Sequence, residues 1–354
     1  MTDLEKLCSR VTEAADCAVI TDDVNRRYFT AMKSSAGTLV AFPEKAYFII
    51  DFRYIEKAKK TVTACEVILQ DKLYEQINSL IEKHGAKTVS VNADTCTLSE
   101  LSAYQQKLNA EVIADTKLAE IIREIRTVKS QEQIDKIIKA QRIAEKGFAH
   151  MLDFIKVGRT EKEIQLELDY YMLKNGAEAL SFDTIALSGS NTSLPHGVPS
   201  DKKVESGEFV LMDFGATYDG WHSDMTRTVC VGKPSDKMKS VYETVLNAQL
   251  SALDAVKAGM SGKELDKIAR DIITDAGYGD NFGHSLGHGV GVEIHESPYA
   301  SPSREDILPE NSIVTVEPGI YLEGKFGVRI EDFVVVTENG CINMTKAPKE
   351  LICL

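Results

Sequence analysis

The chain has 354 residues, with 54 acidic side chains against 41 basic ones and a formal charge of -13. That length is about two domains' worth at roughly 100 to 200 residues each, and an acidic chain whose lysines and arginines are interspersed excludes nucleic acid as the expected partner. The opening Met1-Thr2-Asp3-Leu4-Glu5-Lys6 lacks the basic-then-apolar pattern of a secretory signal, and no run approaches the roughly 20 apolar residues of a membrane span, so no membrane partner and a cytoplasmic location are expected.

From Ala18 to about Ala114, strand-like runs (Cys17 to Thr21, Gly37 to Phe42, Ala46 to Asp51, Thr88 to Val91) alternate with helical stretches (Arg53 to Thr61, Lys72 to His84), an α/β pattern. Lys117 to Phe154 then turns charged and helical. Ile121, Ile122 and Ile125, followed by Ile134, Ile137, Ile138 and Phe148, mark the apolar side of a helix or helix pair. The switch in periodicity places a boundary near Ile122 to Thr127, giving domains 1–123 and 124–354, and Ser130 followed by Gln133 suits a helix N-cap. Beyond it come a helix (Thr160 to Asn175), strands around Phe182 to Leu187 and Phe209 to Val231, helices at Met238 to Ala258 and Gly262 to Ala276, and strands from Ile313 to Val336. Hairpin-joined strands flanked by helices predict an antiparallel sheet with helical cover, an α+β domain. The seven cysteines are odd in number and hold no Cys-x-x-Cys pair, so they are expected to be reduced packing residues.

The chemistry concentrates in the second half. Asp219-Gly220 is a hairpin turn between two β-rich runs. A hairpin centred there makes Asp213 face Thr226 and Gly215 face Asp224, leaving Asp213 and Asp224 diagonal neighbours on one face, roughly 7 to 8 Å apart at the backbone. Two acids on an apolar strand pair resist burial unless something cationic lies between them. A second acidic pair follows, Glu317 in an apolar strand stopped by Pro318-Gly319 and Glu331 two residues after Arg329, and the glycine-rich stretch Phe282 to Pro298, between the first acidic pair and the second, carries His284, His288 and His295. Four carboxylates and one imidazole form a hard, oxygen-dominated set suited to two divalent ions.

In these residues the sequence resembles the pita-bread metallopeptidases that include aminopeptidase P, prolidase and methionine aminopeptidase. The resemblance implies a C-terminal pita-bread catalytic domain with metal ligands Asp213, Asp224, His288, Glu317 and Glu331 holding two divalent ions, manganese foremost and cobalt, iron or zinc as alternatives. The first half looks like a creatinase-type N-terminal α/β domain through Asn25 to Thr30, Ser35 to Gly37 and Ile50 to Tyr54, a domain that methionine aminopeptidases generally lack. By the same resemblance Glu317 moves the proton of the attacking water, His295 donates to the developing oxyanion, His196 in Leu194-Pro195-His196-Gly197 and His284 orient the peptide, and Arg329 fixes a ligand carboxylate. The implied substrate is a peptide with proline in second position, and the implied assembly is a homodimer. His84, His150 and His222 match no site position and read as surface or capping residues. Trp221 reads as a packing or rim residue, and the Asp51 to Tyr54 group reads either as structural or as serving a dimer or substrate-rim role.

Two enzymes differ only in substrate length. A dipeptidase needs a cation for the free carboxylate of proline, and prolidases can carry an arginine just after His-Glu-x-Pro, where this chain has Tyr299 after Pro298. The expectation is therefore an Xaa-Pro aminopeptidase, with an Xaa-Pro dipeptidase as the alternative and Arg304 as a possible substitute cation. A non-catalytic pita-bread binding module and a creatinase-type hydrolase are further alternatives, which would not need all five ligands.

Overall fold

The structure, a computed structural model, describes residues 1–354. Its backbone divides into two compact units, Met1–Arg126 and Thr127–Leu354, at the end of a helix that contains position 123.

In the first unit, strands β1 (Cys17–Ile20), β2 (Thr38–Ala41), β3 (Ala46–Ile50), β4 (Glu66–Leu69), β5 (Thr88–Val91) and β6 (Glu111–Ile113) form one sheet in the order β4-β3-β2-β1-β5-β6. The central strands read as continuous apolar runs because both faces are covered. Ala18, Ile20, Leu39, Phe48 and Ile50 pack with helices α1 (Asp3–Arg10), α2 (Asp23–Thr30), α3 (Ile55–Thr61) and α6 (Lys117–Thr127). Cys17, Val19, Val40, Tyr47 and Ile49 alternate to the other face and pack with α4 (Leu73–His84) and α5 (Leu98–Lys107). The period of two thus feeds two separate cores.

The second unit carries helices α7 (Gln131–Phe154), α8 (Glu161–Lys174), α9 (Asp236–Ala255) and α10 (Gly262–Asp275). The expected helical run Lys117 to Phe154 is two helices, broken where Ser130 caps α7 and exchanges bonds with Gln133, and the same box recurs at Thr160/Glu163 and Ser261/Glu264. Each cap satisfies backbone donors worth about 1 kcal/mol.

Its strands are β7 (Ala179–Leu180), β8 (Ile185–Ser188), β9 (Glu208–Phe214), β10 (Ala216–Tyr218), β11 (Trp221–His222), β12 (Met225–Val231), β13 (Gly287–Gly289), β14 (Glu296–Ala300), β15 (Ile313–Val316), β16 (Gly319–Leu322), β17 (Phe326–Arg329), β18 (Asp332–Thr337) and β19 (Gly340–Asn343). All of their pairings are antiparallel. Val210, Met212 and Phe214 of β9 pack against α7 and α8, whereas Val314 and Val316 of β15 pack with α9 and α10. Asp213 and Thr315 alternate to the opposite side of those strands, so the site forms where the helices do not cover the sheet.

Candidate metal centre

The hairpin register decides where the first two acids go. Asp219 and Gly220 both have positive φ (49° and 82°), the backbone of a tight two-residue turn, and from there Thr217 pairs with His222 and Asp213 with Thr226. Asp213 lies within β9, while Asp224 occupies the break between β11 and β12. Glu317 and Glu331 occupy similar breaks, after β15 and between β17 and β18, so their side chains leave the ladder at points fixed by it on both sides. His288 is in β13, where Gly287 allows close approach: a Cβ there would meet the carbonyl oxygen of Thr315 at 2.0 Å.

All five residues line one cavity of about 470 Å³. His288 Nε2 lies 3.3 Å from Glu317 Oε1 and 3.6 Å from Asp224 Oδ2, and Asp224, His288 and Glu331 bring ligand atoms within 4.8 Å of one another. Arg329 Nη2 donates to Asp213 Oδ2 at 2.7 Å, its Nε donates to Thr226 Oγ1 at 3.1 Å, and that hydroxyl donates to Glu331 Oε2 at 2.8 Å. Thr315 Oγ1 accepts the His288 backbone N–H at 3.0 Å and donates to Glu317 Oε1 at 3.1 Å.

One oxygen each of Asp213, Asp224 and Glu331 (Oδ1, Oδ1 and Oε1) is buried with no hydrogen-bond partner. Three orphaned carboxylate oxygens in one cluster are a costly arrangement unless a cation completes it. The electrostatics agree. Burial, then the charge of Asp213, pushes the Asp224 carboxyl well above its usual range, and burial, then Asp224, does the same to Glu331. Burial would also raise Glu317, but His288 overcomes it and holds Glu317 at about 2. The ring of His288 is pushed up to about 9 because Glu317 and Asp224 outweigh burial. Since the Gly289 carbonyl can only accept, His288 Nδ1 donates to it at 3.0 Å, and the lone pair of Nε2 becomes available to a cation once the ring gives up the proton that it shares with Glu317. The donor set therefore fits divalent cations bound by oxygens and one imidazole nitrogen.

The remaining histidines surround this cluster. His196 and His295 are exposed residues of the cavity wall, and the His295 ring meets His288 edge-on at 4.3 Å between centroids. His284 lines the same cavity, but its Nδ1 donates to the Ser285 carbonyl at 2.8 Å and its Nε2 accepts from the Tyr321 hydroxyl at 2.9 Å. Tyr321 in turn accepts from Arg329 Nη1 at 2.8 Å. Sequence reasoning missed Tyr321 and the hydroxyls of Thr226 and Thr315. Thr226 was signalled by its place opposite Asp213, whereas Tyr321 carried no signal beyond its strand. His84 stacks on Phe42 at 4.1 Å and His150 pairs with Glu167 at 2.7 Å, both away from the cavity, and Trp221 is buried. The Asp51–Arg53 pair, 2.6 Å apart, closes on itself in the first unit.

The family described as Metallopeptidase family M24 matches residues 135–338, and the Creatinase/Prolidase N-terminal domain matches residues 4–128. The chain belongs to metallopeptidase family M24. As an M24 metallopeptidase it is a hydrolase of the pita-bread fold whose chemistry depends on divalent metal. It is 40% identical over 352 residues to a protein of Pyrococcus furiosus named Xaa-Pro dipeptidase, covering 99% of both chains. A structure of an Xaa-Pro dipeptidase from Bacillus anthracis superposes with a TM-score of 0.95 at 42% identity, covering 99% of both chains. A structure of an X-Pro aminopeptidase from Thermotoga maritima gives a TM-score of 0.90 at 38% identity over 96% of this chain and 98% of that one.

Proposed function

We propose that this M24 metallopeptidase hydrolyses the bond between an N-terminal residue and proline, and that it does so as an Xaa-Pro dipeptidase. The observation that carries the metal-dependent reading is the cluster of orphaned buried oxygens of Asp213, Asp224 and Glu331. Asp213, Asp224, His288, Glu317 and Glu331 would hold two divalent ions, manganese foremost. Such a pair supplies an activated water and a polarised substrate carbonyl.

The protein's own groups do the rest. Glu317 takes the proton of the attacking water on its carboxylate and passes it to the leaving proline nitrogen. Like any amide nitrogen it needs this proton to leave, and because it belongs to a tertiary amide without an N–H it offers no hydrogen bond for the site to grip. His295 donates to the developing oxyanion. His196 orients the peptide from its exposed loop, and His284, both nitrogens engaged, orients it as a wall and by fixing Tyr321. Arg329 keeps Asp213 aligned at 2.7 Å.

The expectation of an aminopeptidase rested on the uncharged Tyr299. Relatives named Xaa-Pro dipeptidase over nearly their whole length support the dipeptide reading better. A cation also lies near that position, since the Arg304 guanidinium is 4.1 Å from the centre of the Tyr299 ring, and Tyr299 lines the cavity. The Xaa-Pro aminopeptidase remains as a second reading, supported by the likeness to the Thermotoga maritima structure. Kinetics on Ala-Pro against Ala-Pro-Ala decide between them. A dipeptidase cleaves Ala-Pro with much the higher kcat/KM, and preference for the tripeptide overturns that reading.

A further inference from the structure

His295 poses a positional problem. Its ring is exposed and makes no hydrogen bond, and it follows the loop Val290 to Ile294, so its place over the cluster depends on the backbone that carries it. The next residue, Glu296, is buried, and its Oε1 lies 2.6 Å from Lys129 Nζ, with side-chain exposures of 6% and 0%. Lys129 is itself pinned: its Nζ donates to the Thr127 carbonyl at 3.2 Å and its backbone N–H to the Asn311 carbonyl at 2.9 Å.

The loop before His295 is folded around the Glu296 carboxylate. A Cβ at Gly291 would stand 2.1 Å from Glu296 Oε1, so any side chain there would push the carboxylate from its place. The Glu293 N–H points to Oε2 at 3.4 Å, and Glu296 faces Gly289 across the β13–β14 pair, where the register shifts beside His288. The loop is tied on its other side by the His222 N–H, which donates to the Gly291 carbonyl at 2.9 Å.

We propose that Glu296, neutralised by Lys129, is the positioning residue that holds His295 over the carboxylate cluster. The proposal rests on the peptidase reading for what His295 does, but not for where it stands. A buried carboxylate is retained here because it meets a buried ammonium and a turn of backbone together, which an apolar side chain of equal size does not do. Displacement of a group that acts in the transition state by about 1 Å costs up to about 100-fold in rate.

The test is a double-mutant cycle with a spectroscopic arm. Glu296→Gln should lower kcat on an Xaa-Pro dipeptide by about 10- to 100-fold, with metal content unchanged, and should cost less than about twofold in a His295→Ala background. Equal losses in both backgrounds overturn the proposal. Because Glu296→Gln takes the carboxylate charge away from the buried Lys129 ammonium, the double variant Glu296→Gln/Lys129→Met is measured alongside. It should recover thermal stability but not kcat, and full recovery of kcat overturns the proposal. In spectra of ring-labelled histidines, the His295 resonance, identified by its loss in His295→Ala, should shift in Glu296→Gln while that of His196 stays, and an unmoved His295 resonance overturns the proposal. If the wild type cleaves no Xaa-Pro peptide, the peptidase reading falls, and the resonance alone decides where Glu296 acts.

Discussion

The proposed metal ligands and the histidines around them are held by different physical means. The ligands sit within strands or at single breaks between paired strands, so the ladder hydrogen bonds of β9 with β12, β15 with β18 and β16 with β17 fix their backbones from both sides. His196, His284 and His295 stand outside any strand, and each stretch is fastened instead by a buried charge. Glu161 accepts the backbone N–H groups of Ser188 at 2.7 Å and Ser200 at 3.0 Å, which bracket the segment holding His196. Arg270 donates to the carbonyls of Phe282 and His284, both at 2.8 Å, while its partner Asp266 accepts the Leu286 N–H at 3.0 Å. Glu296 with Lys129 serves His295. A ladder positions a residue through its neighbours' backbone, whereas a loop needs a side chain brought from elsewhere in the chain.

Changes on the two sides should therefore separate in metal content and in rate. The largest effect is expected for Asp224→Ala, which takes away a carboxylate shared by the whole cluster. Turnover should fall by orders of magnitude and metal content with it while the circular dichroism spectrum persists, and wild-type occupancy with wild-type turnover would sink the assignment. His295→Ala should lower kcat by about 100- to 1,000-fold, a barrier higher by about 2.7 to 4 kcal/mol, while metal stays bound. His288→Ala should lose metal, and the comparison breaks if these two variants bind metal alike.

Glu161→Ala leaves a buried donor of Ser188 and part-buried donors of Asn191 and Ser200 unmatched, at about 1 to 3 kcal/mol of stability by melting temperature, and should lower kcat/KM about tenfold through His196 with metal retained. Loss of metal in that variant would show that loops and strands are not held independently. The smallest effect is expected for Arg304→Ala. Arg304 is exposed, so KM for the dipeptide should rise only about threefold with kcat unchanged, and no change in KM removes it from the substrate site.

What could be read from the sequence follows the same division. The facing of Asp213 and Thr226 was legible because strand geometry has a period of two and Asp219-Gly220 marks the turn, so the register follows by counting. The apolar runs of β1 to β3 were legible because burial on both faces leaves no alternation to misread. Helices α1 and α2, eight residues each, were passed over, although α3, with seven, lies within the stretch Arg53 to Thr61 that was read as helical, so length alone does not decide legibility. The pairing of Lys129 with Glu296 joins positions 167 apart, and a contact of that separation leaves no local pattern. Tyr321 was hidden for a related reason, since its role depends on Arg329 and His284 arriving from other segments.

The most direct test is to strip the protein of metal and titrate manganese back while following hydrolysis of Ala-Pro. Activity should be absent from the stripped protein and should rise to its plateau at about two equivalents per chain, with Asp224→Ala failing to recover over the same range. Undiminished hydrolysis by the metal-free protein, or a plateau reached without any bound metal, would contradict the account.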